Sequence, residues 1–262
     1  MMCNAWLFAF ALAALPVGAQ EIRLPPAGGQ YDSQLGGAYP PPPGALVISR
    51  DREAAPAPGL YNICYINAFQ TQPQDANWWR YNHPNLLLTR DGQVVEDPNW
   101  PGEYLLDTTS PENRAALLAI VGDWIEGCAR DGFDAIEADN LDTYSRSDGA
   151  ITIANNLAFA RDFITLAHSL DLAAAQKNGS DLGKRGREAG FDFAITESCA
   201  VFDECGGYQS VFGRQIFDIE YADTPRHHFD AVCAQPGRKF SAILRDRNLT
   251  SPADPSYIYG AC

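Results

Sequence analysis

Basic side chains are scarce in this chain of 262 residues: 19 Lys and Arg stand against 33 Asp and Glu, a formal charge of −14 at pH 7. A surface of that sign repels phosphate groups, which excludes nucleic acid and an anionic membrane surface as main partners and favours a cationic or neutral one. Taken alone, the same surplus is also what solubility requires. Histidine is scarcer still. The four present, His83, His168, His227 and His228, lack the spacing of metal ligands, and no Cys-x-x-Cys pair occurs, so no metal is expected. No Gly-x-Gly-x-x-Gly or P-loop opens a helix, and no cofactor signature is present. No histidine ends an apolar run, and Ser49, Ser180 and Ser198 lack a Gly-x-Ser-x-Gly turn. A serine or cysteine triad therefore has no base.

The first 19 residues carry no charged side chain, and the apolar run from Ala5 to Pro16 is too short to span a bilayer. With small residues at Val17-Gly18-Ala19 it has the form of a signal peptide over 1–19, leaving a mature chain that starts near Gln20 and is secreted or periplasmic. An uncleaved anchor is the alternative. No later stretch is long and apolar enough to cross a membrane. Cys3 departs with the signal. The remaining Cys64, Cys128, Cys199, Cys205, Cys233 and Cys262 form an even set that suggests disulfides in an exported protein. Proximity favours Cys199 with Cys205 and Cys233 with the C-terminal Cys262, which leaves Cys64 with Cys128, one of many possible pairings.

With 46% hydrophobic and 20% charged residues, the rest reads as one large globular domain. Residues 20–44, through Pro40-Pro41-Pro42-Pro43, are rich in Pro and Gly and suit an extended lead-in that holds a strand candidate at 30–35. Over 45–262, short β-branched and aromatic runs recur at 45–49, 60–67, 104–108, 133–139, 172–178, 191–196, 215–221 and 240–245. Amphipathic helices lie between them. Ser110 as N-cap and Pro111 at the first helical position open one that would bury Leu117, Val121, Trp124 and Cys128. Ile153, Leu157, Ala160, Ile164 and Ala167 form the apolar stripe of another. Strand and helix alternating about eight times predict a single-domain α/β fold, a (β/α)8 barrel of the TIM type, with one strand candidate too many. A doubly wound open sheet is the alternative.

Barrel enzymes carry their working groups at the C-terminal ends of strands, and here those ends are acidic: Asp51, Asp107, Asp139, Glu197 and Glu220, joined by Asn67, Lys177 and Asn178. Alternation along the run from Phe133 sets Glu137 on the same face as Asp139, one layer deeper. A helix cap or a structural ion pair accounts for any single carboxylate of this kind. A ring of them supplies what glycoside hydrolysis requires: one acid protonates the departing oxygen while a second carboxylate attacks the anomeric carbon or activates water. Trp78, Trp79, Tyr81, Trp100, Tyr104, Tyr144 and Tyr208 lie in or beside loops after strands, either as platforms for sugar rings or as packing.

Several runs, in their order and spacing, resemble one known family. Tyr31-Asp32-Ser33-Gln34-Leu35-Gly36-Gly37, Asp139-Asn140-Leu141-Asp142-Thr143-Tyr144, Ala175-Gln176-Lys177-Asn178, Glu197-Ser198-Cys199 with Asp203-Glu204-Cys205, and Asp218-Ile219-Glu220-Tyr221 together resemble glycoside hydrolase family 114. The resemblance implies a (β/α)8 endo-α-1,4-polygalactosaminidase without cofactor, in which Asp139 is the nucleophile and Glu197 the general acid/base. Galactosamine that is not acetylated is cationic, so its polymer suits the acidic balance. Asp32, Asp142 and Glu220 are then expected to hold substrate amines, with Asp51, Asn67, Glu137, Tyr144, Lys177, Asn178 and Tyr221 completing the substrate-binding set. The distance between the two acids sets retention or inversion, and retention is the expectation, as is a monomer. The rival reading is a non-catalytic barrel that binds cationic or amino-sugar polysaccharide; carboxylates at both acid positions argue against it. A metal-dependent deacetylase would need more histidines.

Overall fold

The computed structural model describes residues 22–236 and 240–262; the expected signal over 1–19, with Cys3, lies outside them. Eight strands, hydrogen-bonded side by side in chain order and all parallel, wrap into a nearly closed barrel. They are β1 (Tyr31–Ser33), β2 (Val47–Asp51), β3 (Tyr61–Asn67), β4 (Ala135–Asp139), β5 (Ala173–Lys177), β6 (Phe193–Glu197), β7 (Ile216–Tyr221) and β8 (Ser241–Arg245). A short β9 (Tyr259–Ala261) pairs antiparallel with β8. Helix α1 (Ala76–Asn82) belongs to an excursion after β3. The outer layer consists of α2 (Pro111–Asp131), α3 (Ile153–Ser169), α4 (Lys184–Ala189), α5 (Cys205–Phe212) and α6 (His227–Ala234). No helix follows β1 or β2. Their connections hold Pro40 to Pro43 and then Pro56 and Pro58, which lack the N–H that a helix ladder needs.

The surplus strand candidate is 104–108. It makes only isolated antiparallel bridges, to Gln70, Leu87 and Glu96 within the excursion. Its apolar character has another cause: Leu105 packs with Leu88 and Ile151, a small core of its own above the barrel end. The helices start where local chemistry predicts. Ser110 Oγ accepts the Asn113 N–H at 3.0 Å with Pro111 in the first turn, and Gly132, at φ 89°, ends α2 in the left-handed conformation that glycine adopts without strain. Leu117, Val121 and Cys128 are buried as expected; Trp124 is half-buried beneath the Arg52 guanidinium. Thr152 and Asn155 form a reciprocal capping box on α3.

Strand alternation assigns each side chain to one of two compartments. Tyr31, Val47, Ile63, Ala135, Ala175, Phe193, Phe217 and Ile243 fill the barrel interior, while Ile66, Ile136, Ala174, Ala194 and Leu244 face the helices. All three expected disulfides form. Cys64–Cys128 ties β3 to α2, Cys199–Cys205 links the turn after β6 to α5, and Cys233–Cys262 ties α6 to the chain end. No helix among the described residues is long and apolar enough to cross a membrane.

The barrel closes between β1 and β8 through side chains. Arg245, fully buried, donates to Asp32 Oδ1 at 2.6 Å, to the Ser33 carbonyl, and to the carbonyls of Thr250 at 2.8 Å and Ile258 at 3.0 Å. This corrects the expected role of Asp32. It shares β1 with the inward-facing Tyr31 and therefore points the other way, where Arg245, Tyr39 and Gln34 occupy its carboxylate. Burial pushes that carboxyl up, against the pull of Arg245. Arg245→Met would strand the charge in a dry seam, and urea unfolding should show a loss of about 3–5 kcal/mol. Unchanged stability would contradict the assignment of the seam.

Candidate active site

The parity that fills the barrel also builds its C-terminal end. With Ala135, Ala175, Phe193 and Ile219 pointing inward, the residues two or four further along each strand do so too: Asp139, Lys177, Glu197 and Tyr221, beside Tyr65 from β3. All five line a cavity of about 780 Å³ at this end. Each of Asp139, Lys177 and Glu197 is followed by a residue in the left-handed conformation: Asn140 at φ 64°, Asn178 at φ 49° and Ser198 at φ 57°. Asparagine adopts this conformation with little strain, and it turns the chain sharply off the strand end. Serine pays more for it, and strain of this kind gathers at functional sites.

Lys177 lies at the centre. Its ammonium donates to Glu137 Oε1 at 2.8 Å, and lies 3.5 Å from Asp139 Oδ1 and 3.8 Å from Glu197 Oε2. Burial opposes the charge, but Asp139, Glu137 and Glu197 outweigh burial and hold the amine well above its ordinary value. Glu137 is sealed beneath, accepting also from Ser49 Oγ at 2.5 Å. Burial pushes its carboxyl up, and Lys177 opposes that. Asp139 and Glu197, in contrast, keep 18% and 29% of their side-chain surface exposed, which leaves both open to a molecule in the cavity.

Hydrogen bonds fix the plane of each exposed carboxylate. Asp139 accepts from the Tyr65 hydroxyl and from the Asn140 N–H, both at 2.8 Å. Glu197 accepts from Asn178 Nδ2 at 2.7 Å and from the Tyr221 hydroxyl, and its own N–H donates to Asn178 Oδ1 at 2.9 Å. Arg247 lies flat on the Tyr221 ring, 3.8 Å from its centroid, held by two bonds to Asp223. Two oriented carboxylates facing one ammonium across an open cavity are the geometry of double-displacement or water-activating chemistry at a glycosidic bond.

The family profile of glycoside-hydrolase family GH114 matches residues 12–262. The chain belongs to family GH114. It is thus a glycoside hydrolase by family. Among solved structures, Aspergillus fumigatus Ega3, crystallised with galactosamine, superposes on this GH114 chain with a TM-score of 0.73 at 21% identity, covering 94% of this chain and 100% of that one. The glycoside hydrolase domain of Pseudomonas aeruginosa PelA does so with a TM-score of 0.56 at 13% identity, covering 85% and 96%. Both likenesses concern the fold. An uncharacterised Deinococcus radiodurans protein is 24% identical over 192 residues, 65% of this chain; the match spans 59% of that relative's length.

Of the residues expected to contact substrate in this GH114 chain, Asp142, Tyr144, Lys177, Asn178 and Tyr221 line the cavity with Asp139 and Glu197. Asp142 is paired with Arg146 at 3.0 Å, and Tyr144 donates to Asp181 at 2.5 Å. Asn67, on the inward face of β3 with Tyr65, is buried beneath the cavity lining, donating to Glu103 at 3.2 Å and accepting from Asn140 at 2.9 Å. Asp51 lies off the cavity, accepting the Glu53 N–H at 2.9 Å. Glu220 alternates with Tyr221 and so faces outward, buried against the turn after β6. Asp107, in the excursion, accepts from Thr109. Of the aromatic candidates, Trp100, Tyr144 and Tyr208 line the cavity, Trp79 is buried, Trp78 and Tyr81 are exposed on α1, and Tyr104 lies under Arg80.

Sequence reasoning missed Glu103, Arg247, Phe202 and the role of Tyr65. Tyr65 had a signal, since it is two residues before Asn67 on the face that meets Glu137 and Asp139 in register. Glu103 had none, being placed by the excursion. Its carboxyl is pushed up to about 7 by burial, helped by Asp139 and Asp97 and opposed by the Asn67 hydrogen bond and by Arg146.

Proposed function

We propose that this protein is an exported endo-acting glycosidase that cleaves α-1,4-galactosaminidic bonds in a cationic polysaccharide, with Asp139 as nucleophile and Glu197 as general acid/base. The observation that carries this reading is the pair of exposed, hydrogen-bonded carboxylates that face the same buried ammonium. Their facing oxygens lie no further apart than the sum of two short contacts to Lys177. That bound admits the separation of about 5–5.5 Å that a retaining pair needs and also reaches into the range of about 6.5–9.5 Å of an inverting one, so the anomer released first is the test of the retaining course proposed. Asp139 attacks C1 from one side while Glu197 passes its proton to the departing oxygen, and the C1–O bond breaks. Water, deprotonated by Glu197, then displaces Asp139 from C1 and restores the original anomeric configuration.

The charge of the cavity supports a cationic substrate. Six carboxylates and three basic side chains line it, and each of the three is already matched: Lys177 by Glu137, Arg146 by Asp97, and Arg247 by Asp223. The lining is therefore left with a surplus of negative charge for amines that arrive with substrate. The apolar leader and three disulfides speak for export, and the fold neighbour crystallised with galactosamine speaks for the sugar. Incubated with α-1,4-galactosaminan, the protein should release oligosaccharides, read by mass spectrometry, with the α-anomer appearing first by NMR. KM should rise with ionic strength for the deacetylated polymer. Absence of cleavage on deacetylated and acetylated polymer alike would refute the substrate.

A further inference from the structure

Behind the wall, β7 carries two carboxylates that the proposed chemistry does not use. Phe217, Ile219 and Tyr221 look into the barrel, so Asp218 and Glu220 look out; they are 0% and 1% exposed. They meet the turn that presents Glu197. Three successive N–H groups of that turn are held by β7: Ser198 N–H by the Ile219 carbonyl at 2.8 Å, Cys199 N–H by Asp218 Oδ1 at 3.3 Å, and Ala200 N–H by Glu220 Oε1 at 2.8 Å. Asp218 Oδ1 also accepts from the Thr196 hydroxyl at 2.7 Å.

The remaining oxygens, Asp218 Oδ2 and Glu220 Oε2, are buried and meet no N–H or hydroxyl donor, on side chains two positions apart along the same outward face of β7. Two acceptor-only oxygens bond each other only through a proton. Among the described residues neither carboxyl is in an ion pair. The groups around them are the Thr196 hydroxyl, the Cys199–Cys205 disulfide, the Tyr208 phenol of α5, which feels the charges of Glu204 and Asp218, and Ala242 and Leu244 in register on β8. Burial, then the neighbouring Glu220, pushes the Asp218 carboxyl well up.

We propose that Asp218 and Glu220 are positioning residues that hold one proton between them and grip the 198–200 turn, so that Glu197 stays aimed into the cavity. With the proton in place both carboxyls keep their N–H partners. Without it, two buried like charges on adjacent outward positions repel, one swings away, and an N–H of the turn is released. The proposal rests on the reading of Glu197 as acid/base, and two measurements separate the pair from that reading.

Asp218→Asn replaces the shared proton by an amide N–H to Glu220 and keeps the acceptor for Thr196 and Cys199; Asp218→Ala removes both. On galactosaminan the Ala variant should lose about 10²-fold in kcat with little change in KM, the cost of a displaced reacting group. The Asn variant should recover most of this, and its activity should persist to higher pH than that of wild type. A group raised in the folded state binds its proton more tightly there, so wild-type stability should fall as pH rises from the ordinary carboxylate range through the raised value. The Asn variant should show less of this fall. Amide exchange at 199 and 200 should be fast in the Ala variant and slow in the Asn variant. An Asn variant as slow and as open to exchange as the Ala variant, or an unchanged pH dependence of unfolding, would overturn the proposal. A wild type that cleaves no galactosaminan but shows these exchange and unfolding patterns would refute the substrate and keep the gripped turn.

Discussion

Asp139→Asn and Glu197→Gln should each lower kcat on α-1,4-galactosaminan by at least about 10³-fold, since in the proposed mechanism either change removes a group that bonds to or protonates the reacting atoms. Both replacements preserve shape; at position 139 an amide keeps an oxygen for the Asn140 N–H and offers an N–H to the Tyr65 hydroxyl, which accepts as well as donates, so thermal unfolding should stay near that of wild type. The two variants should then diverge. A galactosaminide with a good leaving group, such as a nitrophenolate, needs no proton for departure. Glu197→Gln should therefore still release the phenolate from it in a first turnover, whereas Asp139→Asn, without a nucleophile, should not. A burst from Asp139→Asn and none from Glu197→Gln would reverse the roles, and near wild-type turnover in both would remove the pair from the chemistry.

Lys177→Met should be the most damaging single change to the site as a structure. Among the described residues the ammonium is the only cation within reach of Glu137, which is sealed from solvent, and removing one partner of a buried pair costs about 3–5 kcal/mol because the other charge is left uncompensated. It also faces Asp139 and Glu197, so kcat should fall with stability. The pH dependence carries a sign. Lys177 is raised in the folded state, so its stabilisation is complete below the ordinary lysine value and is lost as pH rises through the folded one. Glu137 is pushed up by burial, and without Lys177 it recovers stability by taking a proton. The gap between variant and wild type should narrow as pH falls, and Glu137→Gln added to Lys177→Met should restore part of the loss. Equal urea midpoints for wild type and Lys177→Met at neutral pH would show that the buried cation is dispensable.

Much of this was readable along the chain because it depends on near neighbours. Ser110 with Pro111 starts a helix by capping chemistry, Glu137 lies under Asp139 because alternation has period two, and Cys199 reaches Cys205 because they are only six positions apart. The strand runs foretold seven of the eight strand places over 45–262 and 30–35 supplied the first. The run 104–108 misled, because an apolar pair buried in an excursion has the same local composition as a barrel strand.

Alternation ties Asp139 to Glu137 and Asp218 to Glu220, yet leaves open which face of a strand looks into the barrel. A shift of one residue inverts that choice, and it is made by strands far away in the chain, as when Ala135 and Phe217 together claim the interior. The composition and motifs thus specified the family's fold, its acidic strand ends and its cross-links. Closure of the barrel alone sent Asp32 and Glu220 outward, brought Glu103 over the site, and turned Asp139, Lys177 and Glu197 toward one another, because side-chain direction inside a barrel is a property of the closed wall.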